Sequence, residues 1–139
     1  RSNASDLAMQ VGDSVAILSI LSGSTLWMAI SSMVTTLADH TACCERRGHI
    51  PGAVWIHWSE FLERGRFKSG EAIRTLLHSR GIRDDDELVP YCHRGARSAN
   101  AYWALRLAGY PQVRNYIGSW HEWSARSELP LERGHRQSR

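Results

Sequence analysis

One stretch of the chain decides the fold, and it reads Leu88-Val89-Pro90-Tyr91-Cys92-His93-Arg94-Gly95-Ala96-Arg97-Ser98. Its first four residues are apolar, as in a buried strand, and a helical pattern follows over residues 99–107. Successive backbone N–H groups of a tight loop between strand and helix converge on one anion, and the helix adds positive potential. The same field favours a thiolate. The stretch therefore predicts a reactive Cys92 that handles a small sulfur or oxygen anion.

Strands and helices are predicted to alternate on both sides of this stretch. Apolar runs predict strands at residues 15–20, 54–56, 88–91 and 113–117. Helices are predicted at residues 60–63 with Ser59 as N-cap, at 70–79 with Ser69 as N-cap, and from Gly118 onward. A helix capped by Ser24 or Thr25 is also predicted, with a strand as the alternative. The alternation indicates an α/β fold with a parallel sheet.

Composition places the chain among single-domain globular proteins of a reducing compartment. The 139 residues are 42% hydrophobic and 22% charged. The net charge of +3 is scattered, without the Lys/Arg run that nucleic-acid binding requires, so no nucleic-acid partner is expected. Three cysteines form no paired framework, which indicates the cytoplasm.

The N-terminal part of the sequence carries fewer signals. Residues 1–4 have the composition of a cleaved-tag remnant and are left out of the fold prediction. Residues 14–38 carry no charge, but nine of these 25 residues are Ser or Thr and Gly23 interrupts them. A buried strand and helix are therefore expected here rather than a membrane span.

The residues from Cys92 to Ser98 resemble the active-site loop of the rhodaneses, the thiosulfate sulfurtransferases. Three further stretches agree in order and spacing: Gly48-His49-Ile50-Pro51-Gly52-Ala53, Ala108-Gly109-Tyr110-Pro111, and Gly118-Ser119-Trp120 with Trp123. The resemblance covers residues 45–131 and is greatest to the catalytic domain of the larger thiosulfate and mercaptopyruvate sulfurtransferases. It implies a rhodanese-like α/β fold, a small parallel sheet flanked by helices on both faces. One such domain is expected over residues 5–135, with residues 5–44 poorly matched to the family.

The resemblance also implies a mechanism. Cys92 would attack the sulfane sulfur of thiosulfate or a related anionic donor, and the resulting persulfide would pass its sulfur to cyanide or a thiol. The loop would bind the substrate, with Arg97 and then Arg94 gripping the sulfonate; the implied set is His93, Arg94, Gly95, Ala96, Arg97 and Ser98. No cofactor is implied. The alternative is a non-catalytic rhodanese-like module for sulfur relay or protein binding.

The length of the loop separates sulfur transfer from phosphate ester hydrolysis. The related phosphatases of this fold carry a cysteine, five residues and then an arginine, which makes a wider cradle for a tetrahedral phosphate. Here Arg97 follows Cys92 after four residues, and Ser98 stands where the phosphatase arginine would be. A smaller cradle suits a single sulfur atom, so sulfur transfer is favoured.

One departure from the family pattern lies upstream. The family usually carries an Asp-x-Arg element shortly before its Gly-His-Ile-Pro-Gly-Ala motif. The nearest candidate in this chain is Asp39-His40-Thr41, which contains no arginine. The sequence therefore does not identify which residues form the substrate-side wall of the site.

The remaining cysteines are weaker candidates. Cys43 and Cys44, with His40 and His49, have the residue types of a metal cluster. Adjacent cysteines do not easily chelate one ion with tetrahedral geometry, and no second cysteine pair exists, so no metal is expected. A resolving role of Cys43 or Cys44 toward an oxidised or sulfur-loaded Cys92 stays open.

Overall fold

A computed structural model of the chain describes residues 25–31, 44 and 46–133. Its regular elements, in chain order, are β1 (Thr25–Ser31), β2 (Val54–His57), a 3₁₀ helix (Trp58–Phe61), β3 (Leu62–Glu63), β4 (Arg66–Phe67), α1 (Gly70–Ser79), β5 (Glu87–Tyr91), α2 (Ala96–Leu107) and α3 (Ser119–Ala125). The main sheet is parallel, in the order β2–β1–β5, and β3 and β4 form a separate antiparallel pair.

The sheet places β5 between β1 and a segment that follows α2. In the register of β1 and β5, Ala29 lies opposite Tyr91, next to Cys92. On the other edge of β5, Val113 forms a parallel bridge with Leu88. The buried, apolar character of β5 is typical of an interior parallel strand. Cys92 therefore directly follows the carboxyl end of β5, a strand that has β1 on one edge and the Val113 segment on the other.

Helices cover both faces of the sheet. Because side chains alternate along a strand, Met28 and Ile30 of β1 face one core while Trp27 and Ala29 face the other. The first core packs against α1 and α2, through residues that include Ile73, Leu77, Ala101 and Leu105. The second packs against α3 and is rich in aromatic side chains, namely Trp27, Tyr91, Tyr116, Trp120 and Trp123. The predicted α/β class with helices on both faces is confirmed.

Several predicted elements agree with the structure almost residue for residue. Strand β2 begins at Val54, β5 covers residues 88–91, and α1 spans residues 70–79. The hydroxyl oxygen of Ser69 accepts the N–H of Ala72 at 3.2 Å, as expected of its N-cap. Helix α2 begins at Ala96, three residues earlier than predicted, because the left-handed Gly95 is its N-cap and accepts the Ala99 N–H at 3.0 Å.

Three predictions need correction. The helix proposed from Ser24 or Thr25 is wrong and the alternative strand is right, since β1 buries residues 27–30 on both faces of the sheet. The helix at 60–63 is instead the 3₁₀ helix Trp58–Phe61, and His57 rather than Ser59 caps it. The strand at 113–117 is only an isolated bridge at Val113, although backbone hydrogen bonds to β5 continue as far as the Tyr116 N–H, which donates to the Pro90 carbonyl at 3.1 Å.

Other predictions lie wholly or partly outside the described residues. The strand at 15–20, the tag remnant and Asp39-His40-Thr41 belong to this group. The single domain over residues 5–135 stays a prediction. Within the described ranges, no helix has both the length and the apolar character needed to cross a membrane.

Candidate active site

Cys92 is the first residue after β5 and lies at the bottom of the loop that leads into α2. Its side chain is buried, and its Sγ accepts the backbone N–H of Gly95 at 3.0 Å. The Ser119 hydroxyl lies 3.9 Å from the same sulfur. The sulfur is therefore surrounded by donors and shielded from bulk water.

These donors determine the ionisation of the thiol. Burial by itself raises the pKa of Cys92, but hydrogen bonds from Ser98, Arg94 and Gly95 outweigh it and hold the pKa below its usual value. The Ser98 hydroxyl has a single proton, and it is also 2.9 Å from the Gly95 carbonyl, to which it can donate that proton. The backbone N–H of Ser98 is therefore the donor that is always available to the sulfur. The loop thus favours a Cys92 thiolate, which is the nucleophilic form.

Gly95 is required at its position for two reasons. Its φ of +93° lies in the left-handed region. A Cβ added there would stand 2.8 Å from the Ile117 carbonyl oxygen, closer than real contacts allow. Only glycine lets the loop curl under this segment and present its N–H to Cys92.

The loop is hydrogen-bonded to the start of α3. Trp120 and His121 donate their backbone N–H groups to the carbonyls of Cys92 and His93, at 2.9 Å and 3.0 Å. The Cys92 N–H in turn donates to the Ser119 hydroxyl oxygen at 3.1 Å. Ser119 has a positive φ of 52°, which turns the chain toward the loop. Sequence reasoning missed Ser119; the Gly118-Ser119-Trp120 motif was the available signal.

Residues 88–121 contain four arginines and no acidic residue, and the four arginines divide into two groups. Arg94 is exposed on the loop and Arg97 is partly buried at the start of α2. Arg106 instead donates to the Pro111 carbonyl at 3.0 Å, and Arg114 forms an ion pair with Glu87 at the amino end of β5. Two of the four arginines are thus engaged away from the loop, leaving Arg94 and Arg97 as the cations of the loop itself.

The other loop residues are placed differently from one another. Ser98 is buried, Ala96 is exposed, and His93 is partly buried. The Nε2 atom of His93 lies 3.3 Å from the Cys44 Sγ. The His93 ring also stacks edge-on with the His121 ring, with 6.0 Å between the ring centres. The side chain of His93 thus joins a second group of residues beside the loop.

Of the two histidines that sequence reasoning grouped with Cys44, the structure describes only His49. His49 is buried, its Nδ1 is 3.0 Å from the Ile50 carbonyl, and its backbone pairs with Glu132. His40 and Cys43 lie outside the described residues. Among the described residues, the ligand-type side chains that converge are Cys44, His93 and His121.

Arg46 is a further residue that sequence reasoning did not identify. Its guanidinium donates to the backbone carbonyls of Trp123 at 2.9 Å, Ser124 at 2.9 Å and Leu129 at 2.8 Å, and also to that of Arg126. Carbonyls at the end of a helix lack intrahelical partners, and a cation there is favoured by the helix dipole. Arg46 therefore ties the segment that carries Cys44 to the end of α3.

Comparisons with known proteins agree with this architecture. Residues 39–126 match the family model of the rhodanese-like domain. The chain is 43% identical over 91 residues to the sulfur carrier protein TtuD of Thermus thermophilus, covering 64% of this chain and 32% of that protein. It is 37% identical over 87 residues to the 3-mercaptopyruvate sulfurtransferase of Escherichia coli K12, covering 63% and 31%.

The fold is shared with a solved structure at lower identity. The anaerobic ergothioneine biosynthesis enzyme of Chlorobium limicola, in complex with trimethyl histidine, superposes with a TM-score of 0.77 at 23% identity. The match covers 93% of this chain and 32% of that enzyme. The chain thus spans about a third of the length of the proteins it matches. Because the family model covers well over half of it, the chain belongs to the rhodanese-like domain family.

Proposed function

We propose that this protein is a sulfurtransferase in which Cys92 carries sulfane sulfur as a persulfide. The observation that carries the proposal is the buried Cys92 sulfur, which accepts the Gly95 N–H at 3.0 Å and has a lowered pKa. The relatives named above, a sulfur carrier and a sulfurtransferase, support the same chemistry.

The reaction has two displacement steps at sulfur. The Cys92 thiolate attacks the outer sulfur of thiosulfate, a new S–S bond forms, and the bond to the sulfonate sulfur breaks with its electron pair leaving on sulfite. The acceptor, cyanide or a thiolate, then attacks the terminal persulfide sulfur and regenerates the Cys92 thiolate. Neither step needs an external oxidant or reductant, and the sequence is ping-pong nucleophilic catalysis.

The loop residues take separate roles in these steps. Backbone N–H groups of residues 93–98 stabilise the negative charge on the terminal persulfide sulfur, as an oxyanion hole stabilises an alkoxide. Arg97, and secondarily Arg94, bind the sulfonate end of the donor as a charge-assisted fork. The four-residue spacing from Cys92 to Arg97 supports a sulfur atom rather than a phosphate as the group that the loop holds.

A second candidate function is sulfur relay without turnover on small molecules. The similarity to a sulfur carrier protein favours it. Such a module would accept sulfur at Cys92 from a protein persulfide and deliver it to a partner protein. Both candidates require the Cys92 persulfide, and they differ in whether thiosulfate and cyanide turn over.

The test is a mass measurement on the reduced full chain after incubation with thiosulfate and, separately, with mercaptopyruvate. We expect a gain of one sulfur atom, lost on addition of cyanide with release of thiocyanate. Cys92→Ser should abolish the gain, whereas the matched variant Cys44→Ser should keep it. A gain that survives in Cys92→Ser would refute the assignment of the nucleophile. No gain from either donor would exclude the enzyme and leave the relay module, which loading from a protein persulfide would then have to show.

A further inference from the structure

Three side chains of metal-ligand type converge at the Cys92 loop, and the proposed reaction uses none of them as nucleophile or as the cation that binds the donor. The ligand atoms of Cys44, His93 and His121 all lie within 4.8 Å of one another. Cys44 Sγ and His93 Nε2 are 3.3 Å apart. The residues come from three separate segments, the one before β2, the loop after β5, and α3, so their meeting is a tertiary feature. We call this group the Cys44 cluster.

We propose that the Cys44 cluster binds a zinc-like divalent transition-metal ion. One thiolate and two imidazoles are the donor types that zinc takes, and three protein ligands with a fourth position open to solvent are a known arrangement. His121 is exposed and Cys44 and His93 are partly buried, so an ion and its fourth ligand can reach the cluster from solvent.

The distances in the cluster are close to those that a tetrahedral ion requires. With Zn–S of about 2.3 Å and Zn–N of about 2.0 Å, tetrahedral angles place sulfur and nitrogen about 3.5 Å apart and two nitrogens about 3.3 Å apart. The Cys44–His93 distance of 3.3 Å already meets the first value closely. The widest separation, at most 4.8 Å, must close by about 1.5 Å, which small rotations of a side chain accomplish.

The backbone under the cluster is held in place independently of any ion. The His121 N–H donates to the His93 carbonyl at 3.0 Å, which fixes the two histidines relative to each other. Arg46, two residues after Cys44, binds the carbonyls at the end of α3, the helix that carries His121. A hydrogen bond between Cys44 and His93 alone would explain their 3.3 Å contact but not the convergence of His121.

The test is a titration of the reduced, metal-free full chain with Co²⁺, whose spectrum reports both thiolate ligation and tetrahedral geometry. We expect one equivalent to bind with a sulfur-to-cobalt charge-transfer band, and Zn²⁺ to displace it. Cys44→Ser should remove that band. His121→Ala should weaken Zn²⁺ binding by about 100-fold or more, since even changes in residues behind the ligands cost 10- to 100-fold.

The controls separate this site from the reactive thiol. His78→Ala removes an exposed histidine elsewhere and should leave binding unchanged. Cys92→Ser should also leave the charge-transfer band in place, so failure of the persulfide assay and failure of metal binding are separate results. Loss of the band in Cys92→Ser but not in Cys44→Ser would overturn the proposal.

A measurement on the unsubstituted protein covers the case in which a variant does not fold. Stoichiometric Zn²⁺ should protect Cys44 from alkylation, as read by peptide mass spectrometry. Alkylation of Cys44 at the same rate with and without Zn²⁺ would disprove the site, and so would the absence of a one-to-one complex.

Discussion

Cys92 lies in the loop between β5 and α2 and Cys44 lies beside that loop, yet the surroundings of the two thiols differ. Cys92 packs into the largely aliphatic core on the α1 and α2 face, and the hydrogen bonds that lower its pKa come from Arg94, Gly95 and Ser98, within six residues of it. Cys44 packs against the aromatic core on the α3 face, and its contact to His93 spans 49 residues of sequence. The difference teaches that one short segment can surround a thiol with backbone donors, whereas the convergence of Cys44, His93 and His121 needs distant segments held together.

The largest effect is expected at the link that holds the Cys44 cluster together. Arg46→Ala removes hydrogen bonds from a charged donor to four carbonyls at the end of α3 and just beyond, and should lower the free energy of unfolding by about 3 kcal/mol. Urea unfolding followed by tryptophan fluorescence measures it. Metal affinity at the cluster should fall, while the alkylation rate of Cys92 stays the same.

The matched control for this change is Arg83→Ala. Arg83 is 71% exposed and pairs with the nearby acidic side chains of Asp85 and Asp86, so its loss should cost less than about 1 kcal/mol. Equal losses in the two variants would show that Arg46 does not link the segments.

The next largest effect is expected in the Cys92 loop, at Gly95. Gly95→Ala forces a left-handed alanine against the Ile117 carbonyl and should cost about 2 kcal/mol or more. Sulfur loading of Cys92 from thiosulfate should fall with it, because the Gly95 N–H moves away from the sulfur. Gly81→Ala is the control: its φ of +76° is similar, but apart from its chain neighbours no described residue has an atom within 4 Å of the added Cβ, so about 1 kcal/mol is expected. If both variants cost the same, the contact with Ile117 is unimportant.

A smaller effect is expected where the two regions meet, at the start of α3. Ser119→Ala leaves the buried Cys92 N–H without its acceptor and should cost about 1–2 kcal/mol in urea unfolding. Ser124→Ala, at a buried serine later in α3 that donates only to the His121 carbonyl, should cost less. The reverse order of these two losses would contradict the role assigned to Ser119.

The smallest effect concerns protonation alone. Ser98→Ala removes one donor that lowers the pKa of Cys92, so that pKa should rise toward its ordinary value. Alkylation of Cys92 should then slow at neutral pH and be unchanged at alkaline pH, where the thiol is ionised in both proteins. The Cys44 peptide in the same sample is the internal control. An unchanged midpoint for Cys92 would assign the pKa shift to the backbone N–H groups alone.

Much of the fold was predictable because its signals are local. The apolar run of β5, the Gly95 turn and the amphipathic pattern of α1 each lie within a few residues, and each element was placed correctly. The strand β1 was not, because its residues 26–30 are all apolar and therefore show no period of two or of 3.6 residues. Residues 25–31 form a strand because they are buried between two cores, and those cores exist only when the whole sheet has formed.

The candidate site was predictable to the same extent and for the same reason. Cys92 and Gly95 were identified from one loop, whereas Ser119, Arg46 and the partners of Cys44 were not. Each of the missed contacts joins residues between 27 and 83 positions apart. No pattern in a single sequence states such a pairing, since the same side chains would suit many other partners.

The sequence by itself determined the strand, the loop and the helix around Cys92, and with them the convergence of backbone N–H groups on the Cys92 sulfur. Backbone N–H groups that converge within six residues need only the correct local dihedral angles, which Gly95 and the helix start impose. Only the tertiary structure decided which core Cys92 and Cys44 pack against and that His93 and His121 meet Cys44. Those contacts depend on how α3 packs against the aromatic core, which is a property of the folded chain as a whole.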